Sequence, residues 1–133
     1  MSDPQYIPVR EVMSHKPIVI DGLGTVAQAV ALMRENNVSS LVVDKRDAAD
    51  EYGLVTVARI AAEVVAEDRS PERVNVYEIM SKPVISVDAG MNIKYAVRLL
   101  SRLGLTRALV LDAGKVVGIA TLKDLVLRSI PDG

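Results

Sequence analysis

The chain carries one pattern twice, and that repetition limits what it can fold into. Val12-Met13-Ser14-His15-Lys16-Pro17-Ile18-Val19-Ile20-Asp21 returns as Ile79-Met80-Ser81-Lys82-Pro83-Val84-Ile85-Ser86-Val87-Asp88. Each copy leads into a helical pattern and then an apolar run, Ser40-Leu41-Val42-Val43 or Arg107-Ala108-Leu109-Val110. Each closes on Gly-x-x-Thr, as Gly53-Leu54-Val55-Thr56 and Gly118-Ile119-Ala120-Thr121. Units this short bury an apolar face poorly alone, so the two are expected to pack on each other. The seam between them is a natural place for a ligand cleft. The repeats span 9–67 and 76–130, with a polar linker over 68–75.

Both repeats read as β-α-β-β-α. In the first, Pro17 to Ile20 is β-branched and extended. Gly22-Leu23-Gly24 turns the chain, and Thr25 with Gln28 forms a capping box. Val26, Ala29, Val30 and Met33 then recur at helical spacing until Asn36-Asn37. Leu41 to Val43 and Gly53 to Thr56 read as strands around the charged loop Asp44 to Tyr52, and Val57 to Glu67 as a second helix. In the second repeat Asn92 caps a helix bearing Ile93, Ala96, Val97 and Leu100, which Gly104 stops. Leu109 to Leu111 and Val116 to Ala120 flank the tight turn Asp112-Ala113-Gly114-Lys115. The final helix is Leu122 to Ile130. Ser70 before Pro71 reads as an N-cap and first helical position, so the linker is expected to carry a short helical turn. Strands alternating with helices argue for helices covering one face of a small sheet.

Composition excludes several functions. Phe and Trp are absent and half the residues are apolar, so the core must be aliphatic. With 16 basic and 17 acidic residues the net charge is −1, which gives no broad footprint for nucleic acid. The lack of stacking Phe and Trp argues the same way. The absence of cysteine removes disulfides and a thiol nucleophile. No apolar stretch reaches the roughly 18–20 residues that span a bilayer, and the first residues lack a signal layout. A cytoplasmic protein without membrane contact is the expectation. His15 is the single histidine, without a Cys or carboxylate cluster in sequence to make it a metal ligand. No Ser-His-Asp set or opposed carboxylate pair stands out, so no catalytic residue is assigned and the chain is not expected to be an enzyme.

The sharpest local signal is Gly118-Ile119-Ala120-Thr121-Leu122-Lys123-Asp124. Gly118 lets another group approach the backbone closely. Thr121 sits at a helix start, where free N–H groups and the helix dipole favour an anion. Asp124, one turn in, can accept two hydrogen bonds from a ribose diol. The same Thr-x-x-Asp is also a capping signature, and both roles can coexist. In the first repeat Arg59 stands where that carboxylate would be, after Thr56. Arginine has no acceptor for a diol. That corner is left empty, holds an anion through Arg59, is filled by it, or bears Arg59 as an ion-paired surface residue.

The Met-Ser leaders, the element order and the Gly-x-x-Thr-x-x-Asp run resemble the CBS domain, and the tandem resembles a CBS pair, or Bateman module. The resemblance covers nearly the whole chain. It implies an α/β (α+β) fold of two CBS repeats packed with pseudo-two-fold symmetry. It also implies a regulatory module binding an adenosine-containing ligand (AMP, ADP, ATP, NAD or S-adenosylmethionine, with or without Mg) in the inter-repeat cleft. The matching Thr121 and Asp124 would contact phosphate and ribose. Ser39 and Ser40, and Thr106 and Arg107, stand where the family points at phosphates, and Arg107 can pair a phosphate bidentately or stand in a surface ion pair. Lys16, beside His15, is a further cation near that position or a surface residue. Pro83, Val84 and Ile85 would form the adenine slot, unless Val84 or Ile85 is plain core. Thr56 and Arg59 would mark a degenerate second site. The module would signal to a separate effector protein. The alternative is an oligomerisation module without a nucleotide. A homodimer is expected from the apolar faces at Val26, Val30 and Met33, at Ile93, Val97 and Leu100, and at Leu122, Val126 and Ile130.

Overall fold

A computed structural model of the chain describes residues 5–82 and 84–130. In chain order the elements begin with a 3₁₀ turn Val9–Glu11, β1 (Ser14–His15), β2 (Val19–Ile20), α1 (Val26–Asn36), β3 (Ser40–Val43) and β4 (Gly53–Thr56). Helix α2 (Val57–Ile60) then runs into a π-helical segment Ala61–Val65 and is followed by α3 (Val76–Ile79). The second half holds β5 (Ser86–Asp88), α4 (Ile93–Leu103), β6 (Arg107–Asp112), β7 (Lys115–Thr121) and α5 (Leu122–Ser129). The order β-α-β-β-α thus occurs twice, from β2 to α2 and from β5 to α5, and the fold class is α+β. The chain divides into two compact units. One is Ile18–Val84, and the other joins Met1–Pro17 to Ile85–Gly133.

In the unit Ile18–Val84 the sheet order is β2-β3-β4, with β2 parallel and β4 antiparallel to β3. The expected capping box opens α1: the Gln28 N–H donates to Thr25 Oγ1 (3.1 Å) and the Thr25 N–H to Gln28 Oε1 (2.9 Å). Asn37 closes the helix in the left-handed region at φ 53°. Val26, Ala29 and Met33 on α1 pack with Leu41, Val43, Val55, Ile60 and Val64. Each fully buried side chain of that size contributes about 1.5–3 kcal/mol. The linker makes a single turn, in which the Arg73 N–H donates to the Ser70 carbonyl, while the Ser70 hydroxyl donates to Glu72 instead of capping it. Other linker carbonyls serve α1. Val74 O accepts from Val26 N (2.8 Å) and Pro71 O from Ala27 N (3.0 Å), satisfying the first free donors of α1.

In the other unit the sheet order is β1-β7-β6-β5, with β5 parallel to β6 and the other pairs antiparallel. Asn92 caps α4 through the Lys94 N–H, and Gly104 ends it at φ 67°. Ala113 (φ 51°) and Gly114 (φ 78°) make the two-residue loop between β6 and β7. Two consecutive positive φ values match the right-handed twist of the strands they join. Ile93, Ala96, Leu100, Ala108, Val110, Ala120 and Leu125 form this core with Val9. The helical faces expected to drive dimerisation are therefore largely used internally. Val26 and Met33, and Ile93 and Leu100, are buried, and Leu122 packs against the core. A half-size unit has no other residues from which to build an interior. Of the faces expected to drive dimerisation, Val126 and Ile130 at the end of α5 remain exposed, and with them Leu127 and, around α2, Val57 and Val65.

The two Met-Ser leaders dock on the two Gly-x-x-Thr glycines. Ser14 pairs with Ile119 and His15 with Gly118, and the Ser14 hydroxyl donates to the Ile119 carbonyl at 3.1 Å. In the other unit the Leu54 N–H donates to Ser81 O (3.0 Å) and the Ser81 N–H to Leu54 O (2.8 Å). Gly118 has no room for a side chain. A Cβ there would collide with the Ser14 carbonyl and lie 2.6 Å from Met13 Sδ. At Gly53 a Cβ would meet Met80 Sδ at 2.9 Å and the Ser81 carbonyl at 3.3 Å.

The β3–β4 connection is long where β6–β7 has two residues, and it folds around a carboxylate. The Asp50 side chain is only 8% exposed and makes an ion pair with Lys82. Its Oδ2 also accepts from the Arg46 N–H (2.9 Å) and from Arg46 Nε (3.2 Å). The Lys82 ammonium first, then the Arg46 and Glu51 N–H groups and the Arg46 guanidinium, hold the Asp50 carboxyl well below the usual carboxylate range, against the opposite push of burial.

Gly118→Ala should lower the unfolding free energy by about 1–3 kcal/mol through overpacking against a backbone carbonyl. The loss should exceed that of Gly53→Ala, where the nearest atom belongs to a flexible methionine side chain; urea unfolding of both variants checks this. Because the folded Asp50 carboxyl lies below its unfolded value of about 3.9, its stabilisation is complete above that pH and fades as pH falls toward the folded value. The urea midpoint of Asp50→Asn should therefore fall short of wild type at neutral pH, and the gap should narrow below about pH 4.

Candidate functional site

The end of each Gly-x-x-Thr strand forms a polar corner. In the unit containing α5, register places Arg107 opposite Thr121, and the Leu122 N–H donates to the Thr106 carbonyl at 2.7 Å. The second strand thus delivers Thr121 to the helix start beside the first residue of β6. Thr121 Oγ1 accepts from the Asp124 N–H at 3.2 Å. Thr121 is therefore the cap, and a cap uses only an oxygen lone pair; the hydroxyl proton stays available to an acceptor. The Asp124 carboxylate is exposed and, among the described residues, has no hydrogen bond or ion pair. The half-buried Arg107 guanidinium likewise has none. A residue with a hydroxyl donor, one with a carboxylate acceptor and one with a guanidinium fork are thus placed around the start of an eight-residue helix, by strand register and helix spacing. That set suits a ligand carrying both a diol and an anion.

The equivalent corner of the other unit has the same frame and different chemistry. Ser40 pairs with Thr56, the Ser39 carbonyl accepts from the Val57 N–H at 3.0 Å, and Thr56 Oγ1 accepts from the Arg59 N–H at 3.1 Å. Arg59 is engaged by its own unit. Its Nε donates to the Ile79 carbonyl (2.9 Å) and Nη1 lies 3.5 Å from Glu63 Oε1. Among the four readings left open for Arg59, this geometry is that of an ion-paired surface residue.

The structure brings Arg107, Thr121 and Asp124 together in one unit, and Ser39, Ser40, Thr56 and Arg59 in the other. Gly118 stands apart from the first group. The close approach its missing side chain permits is made by Met13 and Ser14. Ile85 packs against the core of its unit, and its carbonyl accepts from the Leu109 N–H at 3.0 Å. Val84 is half-buried, and Pro83 lies outside the described residues. His15 is an exposed residue of β1, and Lys16 beside it takes φ 58°. Sequence reasoning missed the Asp50–Lys82–Arg46 cluster, which it read as a charged loop. The available signal was the length of that loop set against the two-residue turn of the second repeat.

The CBS domain family matches residues 9–66 and 76–130. An uncharacterized protein of Methanopyrus kandleri is 32% identical over 122 residues, covering 90% of this chain and 61% of that protein. The chain thus spans about three fifths of the length of that relative. The hexameric CBS-CP12 protein from bloom-forming cyanobacteria superposes with a TM-score of 0.88 at 34% identity, over 94% of this chain and 69% of that one. A CBS domain pair solved in complex with 5′-methylthioadenosine and S-adenosyl-L-methionine shares the fold, with a TM-score of 0.76 at 22% identity over 91% of this chain and 94% of that one. With two matched domains, the repeated fold and these likenesses in place, the chain belongs to the CBS domain family as a tandem CBS pair.

Proposed function

We propose that this tandem CBS pair is a regulatory, non-catalytic module of the cytoplasm that senses an adenosine-containing ligand and signals its occupancy to a separate protein. The observation that carries this reading is the corner at the start of α5. There the partnerless Asp124 carboxylate and Arg107 guanidinium flank the Thr121 hydroxyl. Asp124 takes the ribose diol, and Thr121 and Arg107 take phosphate or another anionic group. Ser39, Ser40, Pro83, Val84 and Ile85 remain proposed contributors. Arg59, tied to Ile79 and Glu63, leaves the other corner without a ribose acceptor, so one nucleoside binds per chain. Adenosyl compounds lead the candidates because a CBS pair of the same fold is known in complex with two of them. A ligand favouring one arrangement of the protein shifts its population, and that shift is the signal. Among the described residues no helix is long and apolar enough to cross a membrane.

A second reading, self-assembly, is favoured by two apolar grooves. One, of about 490 Å³, lies between α4 and α5 and is lined by Val97, Val126 and Ile130. The other, of about 380 Å³, lies between α1 and the α2 region and is lined by Val30, Val57 and Val65. We propose that a second copy covers them; the similar CBS-CP12 protein is hexameric.

Thermal unfolding with AMP, ADP, ATP with and without Mg, NAD and S-adenosylmethionine tests the sensor reading. At 100-fold over its dissociation constant the correct ligand should add about 2.7 kcal/mol to the wild type and nothing to Asp124→Ala. No shift with any of them would overturn it and leave the assembly reading. Ile130→Glu and Val65→Glu, both at exposed positions, should reduce the mass seen by sedimentation without loss of fold; an unchanged mass would overturn the second-copy proposal.

A further inference from the structure

The unit Ile18–Val84 holds a second cleft, of about 480 Å³, at the end of the sheet away from Thr56. It lies beyond Ile20 and Val43, the carboxyl ends of the parallel pair β2 and β3. Open parallel sheets place ligands beyond this end of their strands. Three chain segments make its walls. The loop Gly22-Leu23-Gly24 is fixed to the α3 region, because Tyr77 N donates to Gly22 O (3.0 Å), Val76 N to Gly24 O (2.8 Å) and Asn75 Nδ2 to Leu23 O (2.8 Å). The third wall is the start of the long β3–β4 connection, which has no counterpart at the two-residue β6–β7 turn.

The walls carry both signs of charge and an apolar surface. Leu23 and Tyr77 are exposed, and Met80 lies beside them. Asp50, behind the cleft, pins Lys82 and Arg46 together. It holds Arg46 through Nε, leaving both terminal nitrogens of the guanidinium without a protein partner among the described residues. Asp21 and Asp44 each accept one backbone N–H through Oδ1, from Leu23 and Lys45, at 2.8 Å, which leaves each a free oxygen. Lys45, the remaining cation, sits 4.9 Å from the Tyr52 ring centre. With Asp50 included, three carboxylates balance three cations, so a simple anion or cation gains little here. A neutral molecule with separated charges and an apolar body gains from every wall. The volume lies in the range of small-molecule sites.

We propose that this cleft binds a zwitterionic amphiphile of the chemical class of a free amino acid with an apolar side chain. The carboxylate takes the open Arg46 fork, the ammonium takes the free oxygens of Asp21 and Asp44, and the side chain lies on Leu23, Tyr77 and Met80. The site is independent of the corner at Thr121 and Asp124.

Amide NMR titration tests it with L-phenylalanine, L-leucine and L-methionine, each up to about 10 mM, where even millimolar binding is close to saturation. At least one should shift Leu23, Lys45, Arg46 and Tyr77 saturably. N-acetyl-L-phenylalanine, which lacks the ammonium, and phenethylamine, which lacks the carboxylate, should each bind about tenfold more weakly or worse. Arg46, with a side chain 82% exposed, tolerates replacement, and Arg46→Gln should weaken binding at least as much while leaving the adenosyl response of Asp124 intact. No saturable shift with any of the three amino acids, equal binding of either truncated analogue, or unchanged binding in Arg46→Gln would overturn the proposal.

Discussion

The structure depends on a close backbone contact made twice: a Met-Ser pair laid against the glycine of a Gly-x-x-Thr strand. At Gly118 the contact is tight enough that even one methyl group collides with the Ser14 carbonyl. The contact is tied by β1 pairing with β7 in one unit and by the Leu54–Ser81 bridge in the other. In both, the leader of one repeat completes the unit built by the other. This is the physical content of the repeat. Each repeat supplies a core and a leader segment that pairs with the other repeat's Gly-x-x-Thr strand, as a short strand at Ser14 and as a single bridge at Ser81.

Local elements could be read from the sequence because local chemistry decides them. Thr25 with Gln28, Asn92, Gly104 and the Ala113-Gly114 turn each act on neighbours within a few residues, and each sits as read. The pairing of Ser14 with Ile119 is invisible at that range, because nothing near either residue names the other. Gly118 shows the limit well. Its need for open space was legible, but the group that fills the space was not. The use of linker carbonyls by α1 was hidden for the same reason, since the donors that claim them lie far upstream. At the candidate site, Thr121 and Asp124 were legible as a pair because three residues separate them on a helix. The opposition of Arg107 and Thr121 follows from the hairpin register. Asp50 escaped because its burial and its partner Lys82 arise only from tertiary folding.

The two polar corners show how one frame supports different chemistry. The strand and the capping threonine recur, and the difference rests on two positions: the residue facing the threonine, Arg107 or Ser40, and one position in the following helix. Asp124 stands free there, whereas Arg59 is fastened to Ile79 and Glu63. The same divergence appears at the other end of the sheets, where one hairpin closes in two residues and the other expands around Asp50. Duplication supplied the scaffold, and side chains at strand ends and loops distinguish the halves, as expected where function resides in sites carried by a shared fold.

The exchange of leaders also orders events during synthesis. Residues 18–84 form a unit from one continuous stretch, so that unit has all its strands once its last residue leaves the ribosome. Ser14 is made early, yet its partner Ile119 follows 105 residues later. β1 therefore has no partner strand until the residues of β7 around Ile119 have been translated.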